Sequence, residues 1–297
     1  MTSGCDYTYR FAKLSFFIVF AVIPIMAGAQ SSEQTSSGVT SSYDFSNPSN
    51  KVALHKSLKE ASGLSVGEKG ALYVVEDENG VLYTLDALSG EIVNRKLFAS
   101  DGDFEGVEYV RGVAHILRSS GHLYFTDPSG DKRESRSRKK LDLPGDCNAE
   151  ALGFEREEGL LLVGCKVGDG IRGRRGRSIY AFDTTGSLFS EKPFLYLNKE
   201  FLSDACGGCS ISVSDFQPSA IAVQPGTGDI YILSAVQERL LVVGNNTNSL
   251  TRLRLDDMLQ PEGIAFDDLN RLYILSEGNS GRAHLFRFDP IMPSPNE

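Results

Sequence analysis

Three glutamates stand at one position of a recurring motif. Glu105 lies in Asp103-Phe104-Glu105-Gly106-Val107, Glu150 in Asn148-Ala149-Glu150-Ala151-Leu152, and Glu262 in Gln260-Pro261-Glu262-Gly263-Ile264. Serine takes the same place in Glu60-Ala61-Ser62-Gly63-Leu64 and in Gln217-Pro218-Ser219-Ala220-Ile221. A small residue and a short apolar strand follow each time. Repeats set around an axis would bring Ser62, Glu105, Glu150, Ser219 and Glu262 into a ring, with Glu60 and Asp103 nearby. Converging carboxylates repel one another unless a cation, a proton or a basic side chain balances them. Oxygen-only donors suit Ca2+, which takes about six to eight of them. An alternative stands beside this one: the same carboxylates could accept hydrogen bonds from neighbouring backbone N–H groups and so hold adjacent repeats together.

Basic residues are placed where they could balance such a ring. The second strand of each unit ends in Glu76-Asp77, Arg118, Lys166, Ser234 or Ser276-Glu277. Arg118 and Lys166 could neutralise the acids without a metal, or could orient an anionic ligand. Arg172, Arg174, Arg175 and Arg177 alternate with glycines in one long connection. A cationic loop of this kind can capture a phosphate or carboxylate, although a solvated loop is the plainer reading. Lys132, Arg133, Arg136, Arg138, Lys139 and Lys140 form a second basic run. It reads as a solvated edge strand that resists edge pairing, with contact to anionic lipid as the second option. His55, His115, His122 and His284 show no metal-ligand spacing and read as structural.

The elements that must position these residues are strands. The spacings between the aligned Ser or Glu positions are 43, 45, 69 and 43 residues. Each unit continues with a second strand such as Leu272-Tyr273-Ile274-Leu275 and a third that usually ends in Asp, such as Ile179-Tyr180-Ala181-Phe182-Asp183. Aromatic and β-branched runs separated by Gly, Asp and Asn indicate hairpins. A repeat of about 40–50 residues built from short strands is the pattern of propeller blades. The last unit lacks a fourth strand after Asp289, and a spare strand precedes the first unit near Val52-Ala53-Leu54-His55. The expected fold is therefore an all-β, five-bladed propeller closed by its N-terminal strand, with six blades as the alternative if the 69-residue interval hides one. That interval holds two insertions, 166–177 and 199–216, both expected at the same mouth of the channel.

The five motifs in order resemble the SdiA-regulated, YjiK-like family of exported bacterial β-propellers over about residues 50–289. That family is related to calcium-regulated and phytase-like propellers. The resemblance implies an envelope location and calcium involvement. The chain departs from the family pattern at two places. Gly164-Cys165-Lys166-Val167 keeps the family lysine but lacks the acid after it, and Leu233-Ser234-Ala235-Val236-Gln237 lacks two acids.

Arg10 and Lys13, then the apolar run Leu14–Met26 and Ala27-Gly28-Ala29, read as a signal peptide over residues 1–29. Residues 30–50 read as a flexible linker rich in Ser and Thr, and residues 51–297 as the propeller. Export favours disulfides among Cys147, Cys165, Cys206 and Cys209. Cys206 and Cys209 could close a small ring, and Cys147 and Cys165 flank one hairpin. A formal net charge of −9 argues against nucleic-acid binding. The favoured function is a monomeric envelope protein that binds Ca2+ or a small anionic ligand at the channel mouth without catalysis. A metal-assisted phosphoesterase and a scaffold contacting envelope proteins or the membrane surface are the alternatives.

Overall fold

A computed structural model describes residues 42–129, 137–144, 147–167, 176–244, 247–253, 255, 258–279 and 281–291. The leader 1–29, the arginines Arg172, Arg174 and Arg175, and Lys132, Arg133 and Arg136 lie outside the described residues.

The chain opens with β1 (Asn50–Ala53). Blade 1 then comprises β2 (Ala61–Val66), β3 (Leu72–Glu76), β4 (Val81–Leu85) and β5 (Ile92–Leu97). Blade 2 comprises β6 (Phe104–Val110), β7 (Val113–Arg118), β8 (His122–Thr126) and β9 (Ser137–Lys140). Blade 3 comprises β10 (Asn148–Glu155), β11 (Leu160–Val167), β12 (Gly176–Asp183) and β13 (Leu195–Asn198), followed by α1 (Lys199–Ala205). Blade 4 comprises β14 (Ala220–Val223), β15 (Ile230–Ser234), β16 (Arg239–Val243) and β17 (Asn248–Arg252). Blade 5 comprises β18 (Pro261–Phe266), β19 (Leu272–Ser276) and β20 (His284–Phe288).

These strands form five antiparallel four-stranded sheets. The fourth strand of blade 5 is β1, which pairs with β20 so that Val52 faces Leu285. The innermost strands touch in sequence, β2 to β6 to β10 to β14 to β18 and back to β2, which closes the ring. Five blades account for the repeats, and the long third interval holds connections rather than a sixth blade.

The small residue of each repeat is explained by this contact. A Cβ on Gly106 would sit 2.7 Å from Leu152 Cβ of blade 3, and one on Gly263 2.8 Å from Leu64 Cβ of blade 1. Adjacent inner strands approach so closely there that little more than a hydrogen fits. Apolar layers between the blades supply the cohesion. Leu233, Leu240, Ile264, Ile274 and Phe286 share one layer with Tyr43, and Ile179, Leu197, Ile221 and Ile232 share another.

The described residues begin inside the Ser- and Thr-rich segment. Tyr43 is buried, donates its hydroxyl to Asn270 O at 2.8 Å, and packs against Tyr231 and Phe266. The aromatic rings of Tyr43 and Phe45 set this end of the segment apart from its Ser/Thr composition.

The described ends of the two insertions meet. Arg177 donates Nη2 to Ser214 O at 3.2 Å. Asn198 caps α1 by accepting from Phe201 N at 2.8 Å, and Leu202, Ile211 and Phe216 bury the second insertion against blades 3 and 4. Cys206–Cys209 closes the turn after α1, and Cys147–Cys165 ties β10 to β11. Two disulfides indicate an oxidising environment of the kind met outside the cytoplasm. Among the described residues no helix is long and apolar enough to cross a membrane.

Candidate functional site

The residues singled out from the repeats occupy β-bulges. Between β2 and β3 the pairing steps from Ala61↔Glu76 to Gly63↔Val75, which leaves Ser62 unpaired. The same step leaves out Glu105 between Phe104 and Gly106, Glu150 between Ala149 and Ala151, and Glu262 between Pro261 and Gly263. A bulge turns the extra residue away from the regular alternation and re-aims its side chain. Here it re-aims one residue in each of blades 1, 2, 3 and 5, whereas in blade 4 Ser219 stands just before a regularly paired β14. Lys166 is also an extra residue, because Val167 pairs with Asn148 and Cys165 with Ala149. Two bulges in blade 3 thus bring Lys166 Nζ to 2.9 Å from Glu150 Oε2.

Further carboxylates join from the second strands. Asp77 and Glu277 follow β3 and β19, and their N–H groups donate to Glu60 O and Gln260 O, each at 3.1 Å. Glu60 hydrogen-bonds Glu277, and Lys59 Nζ lies 2.7 Å from Glu60 Oε1. Glu105 hydrogen-bonds both Asp103 and Glu150, and Ser119 donates to Asp103. A bond between two carboxyl groups requires a proton, so this network is held partly by protons.

The electrostatics follow from burial and crowding. Glu105 is pushed up to about 10 by burial first, then by Glu150, Asp103 and Glu262. It is the protonated partner at neutral pH. Glu262 rises to about 7, again through burial, with Lys166 opposing and Glu150, Asp77 and Glu60 adding to the rise. Burial and the bond to Glu60 take Glu277 to about 8, while that same bond, followed by Lys59, holds Glu60 below its ordinary value. Asp77 rises to about 6 through burial and the fields of Glu60, Glu76, Glu78 and Asp103, and its Oδ1 is buried with no hydrogen-bond partner. Burial raises Glu150 against the pull of Lys166, whose own value is raised by that carboxylate in spite of burial.

The expected residues therefore separate into groups. Glu105, Glu150, Glu262 and Lys166 meet at the mouth. Ser62 and Ser219 are spent on joining blades. Ser62 Oγ donates to Phe104 O of blade 2 at 2.6 Å, and Ser219 Oγ donates to Pro261 O of blade 5 at 2.9 Å. Arg118 lies one residue short of the mouth. Its pairing with Phe104 matches that of Glu76 with Ala61 and Ser276 with Pro261, and the mouth position of blade 2 is Ser119. Arg118 Nε is buried without a hydrogen-bond partner, and among the described residues Arg118 forms no ion pair with a ring carboxylate. Asp77 and Glu277 were visible as acids ending second strands, and their convergence with Glu262 depended on the bulges.

This donor set is all oxygen and holds an orphaned buried carboxylate atom, which suits Ca2+ in chemistry. Among the described residues, however, no three His, Cys, Asp or Glu side chains are already gathered as a metal-holding group. Lys166 balances one of the carboxylates, that of Glu150.

Comparison with known proteins places the fold. Similar solved structures include a glutaminyl cyclase of Myxococcus xanthus and a streptogramin B lyase, each 13% identical to this chain. The cyclase covers 83% of this chain and 97% of its own at a TM-score of 0.50, and the lyase 81% and 97% at 0.48. A gluconolactonase from Xanthomonas campestris is 14% identical, covering 77% of this chain and 72% of its own at 0.47. At 13% identity the cyclase speaks to the fold alone, and the other two, with TM-scores under 0.5, carry no argument. No curated protein matches the sequence. Residues 204–281, which run from α1 through blade 4 into blade 5, match the model of the SdiA-regulated family. With five blades around that segment, the chain fits the SdiA-regulated, YjiK-like propellers that its motifs resemble.

Proposed function

We propose that the protein is an exported binding propeller whose channel mouth takes a small cation in exchange for protons, with Ca2+ as the species to test. The observation that carries this reading is the cluster of Glu105, Glu150, Glu262, Asp77 and Glu277, whose carboxyl groups are raised first by burial and then by neighbouring acids. Charge favours a cation over an anionic ligand at this mouth. Lys166 is committed to Glu150, and Arg118 stands off the ring. An anion entering there would meet more carboxylates than free cations. The same balance disfavours a phosphate ester as substrate, so the reading is one of binding.

The test is calorimetric titration of Ca2+ at pH 8.5 and pH 5.5 with wild type and Glu262→Gln. Saturable binding at pH 8.5 that releases protons, fades at pH 5.5 and weakens in Glu262→Gln supports the proposal. Absence of Ca2+ binding at pH 8.5 removes it. Phosphate binding abolished by Lys166→Met would restore the anionic reading.

A further inference from the structure

A groove lies at the seam where the ring closes, on residues the channel mouth does not use. The turn between β4 and β5 approaches β1 so closely that a Cβ on Gly90 would meet Leu54 Cδ2 and Val52 Cγ2 at 2.9 Å. Gly90 has φ +70°, which suits glycine. Beside this contact His55, Ser89, Glu91, Arg95 and Arg282 line a groove of about 370 Å³. Its donors come from three separate segments: the link after β1, strand β5 and the loop before β20.

Each donor is oriented by its surroundings. Arg282 donates Nε to Leu54 O at 2.7 Å and Nη2 to Ala53 O at 3.2 Å. A guanidinium has five N–H donors, so these two bonds fix its plane and leave others available. Arg95 lies over the Tyr83 ring at 5.8 Å. His55 Nδ1 accepts from Ser57 N at 3.1 Å. That bond uses the Nδ1 lone pair and puts the hydrogen of the neutral ring on Nε2, which becomes a donor. Ser89 is already spent, donating its hydroxyl to Asp86 Oδ1 at 2.9 Å. Glu91 is the one carboxylate lining the groove, and among the described residues it pairs with neither arginine. A local positive surplus thus stands on a chain of net charge −9.

We propose that this groove binds an oxyanion of the phosphate or sulfate type through Arg95, Arg282 and His55. Two planar guanidinium forks and an imidazole N–H lining one groove, against the single carboxylate of Glu91, match the several acceptor oxygens of such a group. The ligand would span the closing strand and blade 1, so it would also stabilise ring closure by binding only the folded state.

The test titrates inorganic phosphate at constant ionic strength against wild type, Arg95→Gln, Arg282→Gln and Glu91→Gln, by calorimetry and by the shift in Tm. Saturable binding with a rising Tm is expected. Arg95→Gln should weaken it about tenfold, the worth of one charge-assisted contact, and Glu91→Gln should strengthen it. Arg282→Gln also loses its bonds to β1, so Arg95→Gln carries the decision. A parallel arm uses phosphatidylcholine vesicles with and without phosphatidylglycerol. Binding that needs the anionic lipid and Arg95, without binding of free phosphate, assigns the same chemistry to a lipid headgroup. No Arg95-dependent binding in either arm overturns the proposal.

Discussion

Glu262→Gln should make the protein more stable at alkaline pH and leave it nearly unchanged at pH 5. The carboxyl of Glu262 moves from 4.5 to about 7 on folding, chiefly through burial. A raised carboxyl holds its proton in the folded chain after the unfolded chain has lost it. Stability is therefore unaffected well below 4.5, falls as pH climbs from 4.5 to about 7, and stays low above that. At about 1.4 kcal/mol per pH unit the ceiling is roughly 3 kcal/mol. Glu262 is partly exposed, and water at the mouth screens the interaction, so about 1–2 kcal/mol is the expected gain in the glutamine variant at pH 8.5. Glutamine keeps the shape and removes the charge. The assay is urea denaturation of both proteins at pH 5 and pH 8.5, with disulfides intact and divalent cations chelated. Parallel stability curves for wild type and variant across that range would refute the reasoning, because they would mean that Glu262 ionises at no cost.

Lys166→Met removes the partner of a buried carboxylate. It should destabilise the protein by about 2–3 kcal/mol at pH 8, with less loss at pH 5 where Glu150 can take up a proton, measured by the same denaturation series. Ser62→Ala leaves Phe104 O without its donor and should cost about 1–2 kcal/mol while leaving cation affinity unchanged, which thermal unfolding and calorimetry would show together. Gly106→Ala drives a methyl into Leu152 and should cost about 1–3 kcal/mol or more, seen as a lowered Tm. Replacing Cys147 and Cys165 by serine unties the strands that carry Glu150 and Lys166. Cation affinity in that double variant should fall further than in a variant lacking Cys206–Cys209.

The fold was legible because its repeats report a physical constraint. Gly63, Gly106, Ala151, Ala220 and Gly263 are small where inner strands touch, and the aspartates after the third strands order their turns, as Asp183 does by accepting from Thr185 N and Ser187 N. Closure by β1 followed from one missing and one spare strand. Part of the site was legible for the same reason, since Glu105, Glu150 and Glu262 share a repeat position. The division between Ser and Glu at that position was not. Ser62 and Ser219 reach the carbonyl of the next blade, whereas the longer glutamates lie at the mouth. Counting along β7 gave Arg118 a place at the mouth, yet the register puts Ser119 there. Strand alternation is easily read in a sequence, but a bulge shifts it by one residue and leaves no residue type that marks it.

That shift also ties the two readings of the glutamates together. Blade joining and ligand binding were the two readings of one ring, each open to holding for different residues. The repeat position allows both, because blades 1 and 4 use it to bond their neighbours while the bulges of blades 2, 3 and 5 present carboxylates. Only this division of labour lets acids crowd the mouth without the ring depending on them for cohesion. The crowding is then balanced locally, by the proton on Glu105 and by Lys166 on Glu150. If the mouth takes up a cation as proposed, that cation replaces its protons, and cation affinity and proton release must be coupled. Rising pH and an entering cation act on the same carboxyl groups, the first by exposing their repulsion and the second by relieving it.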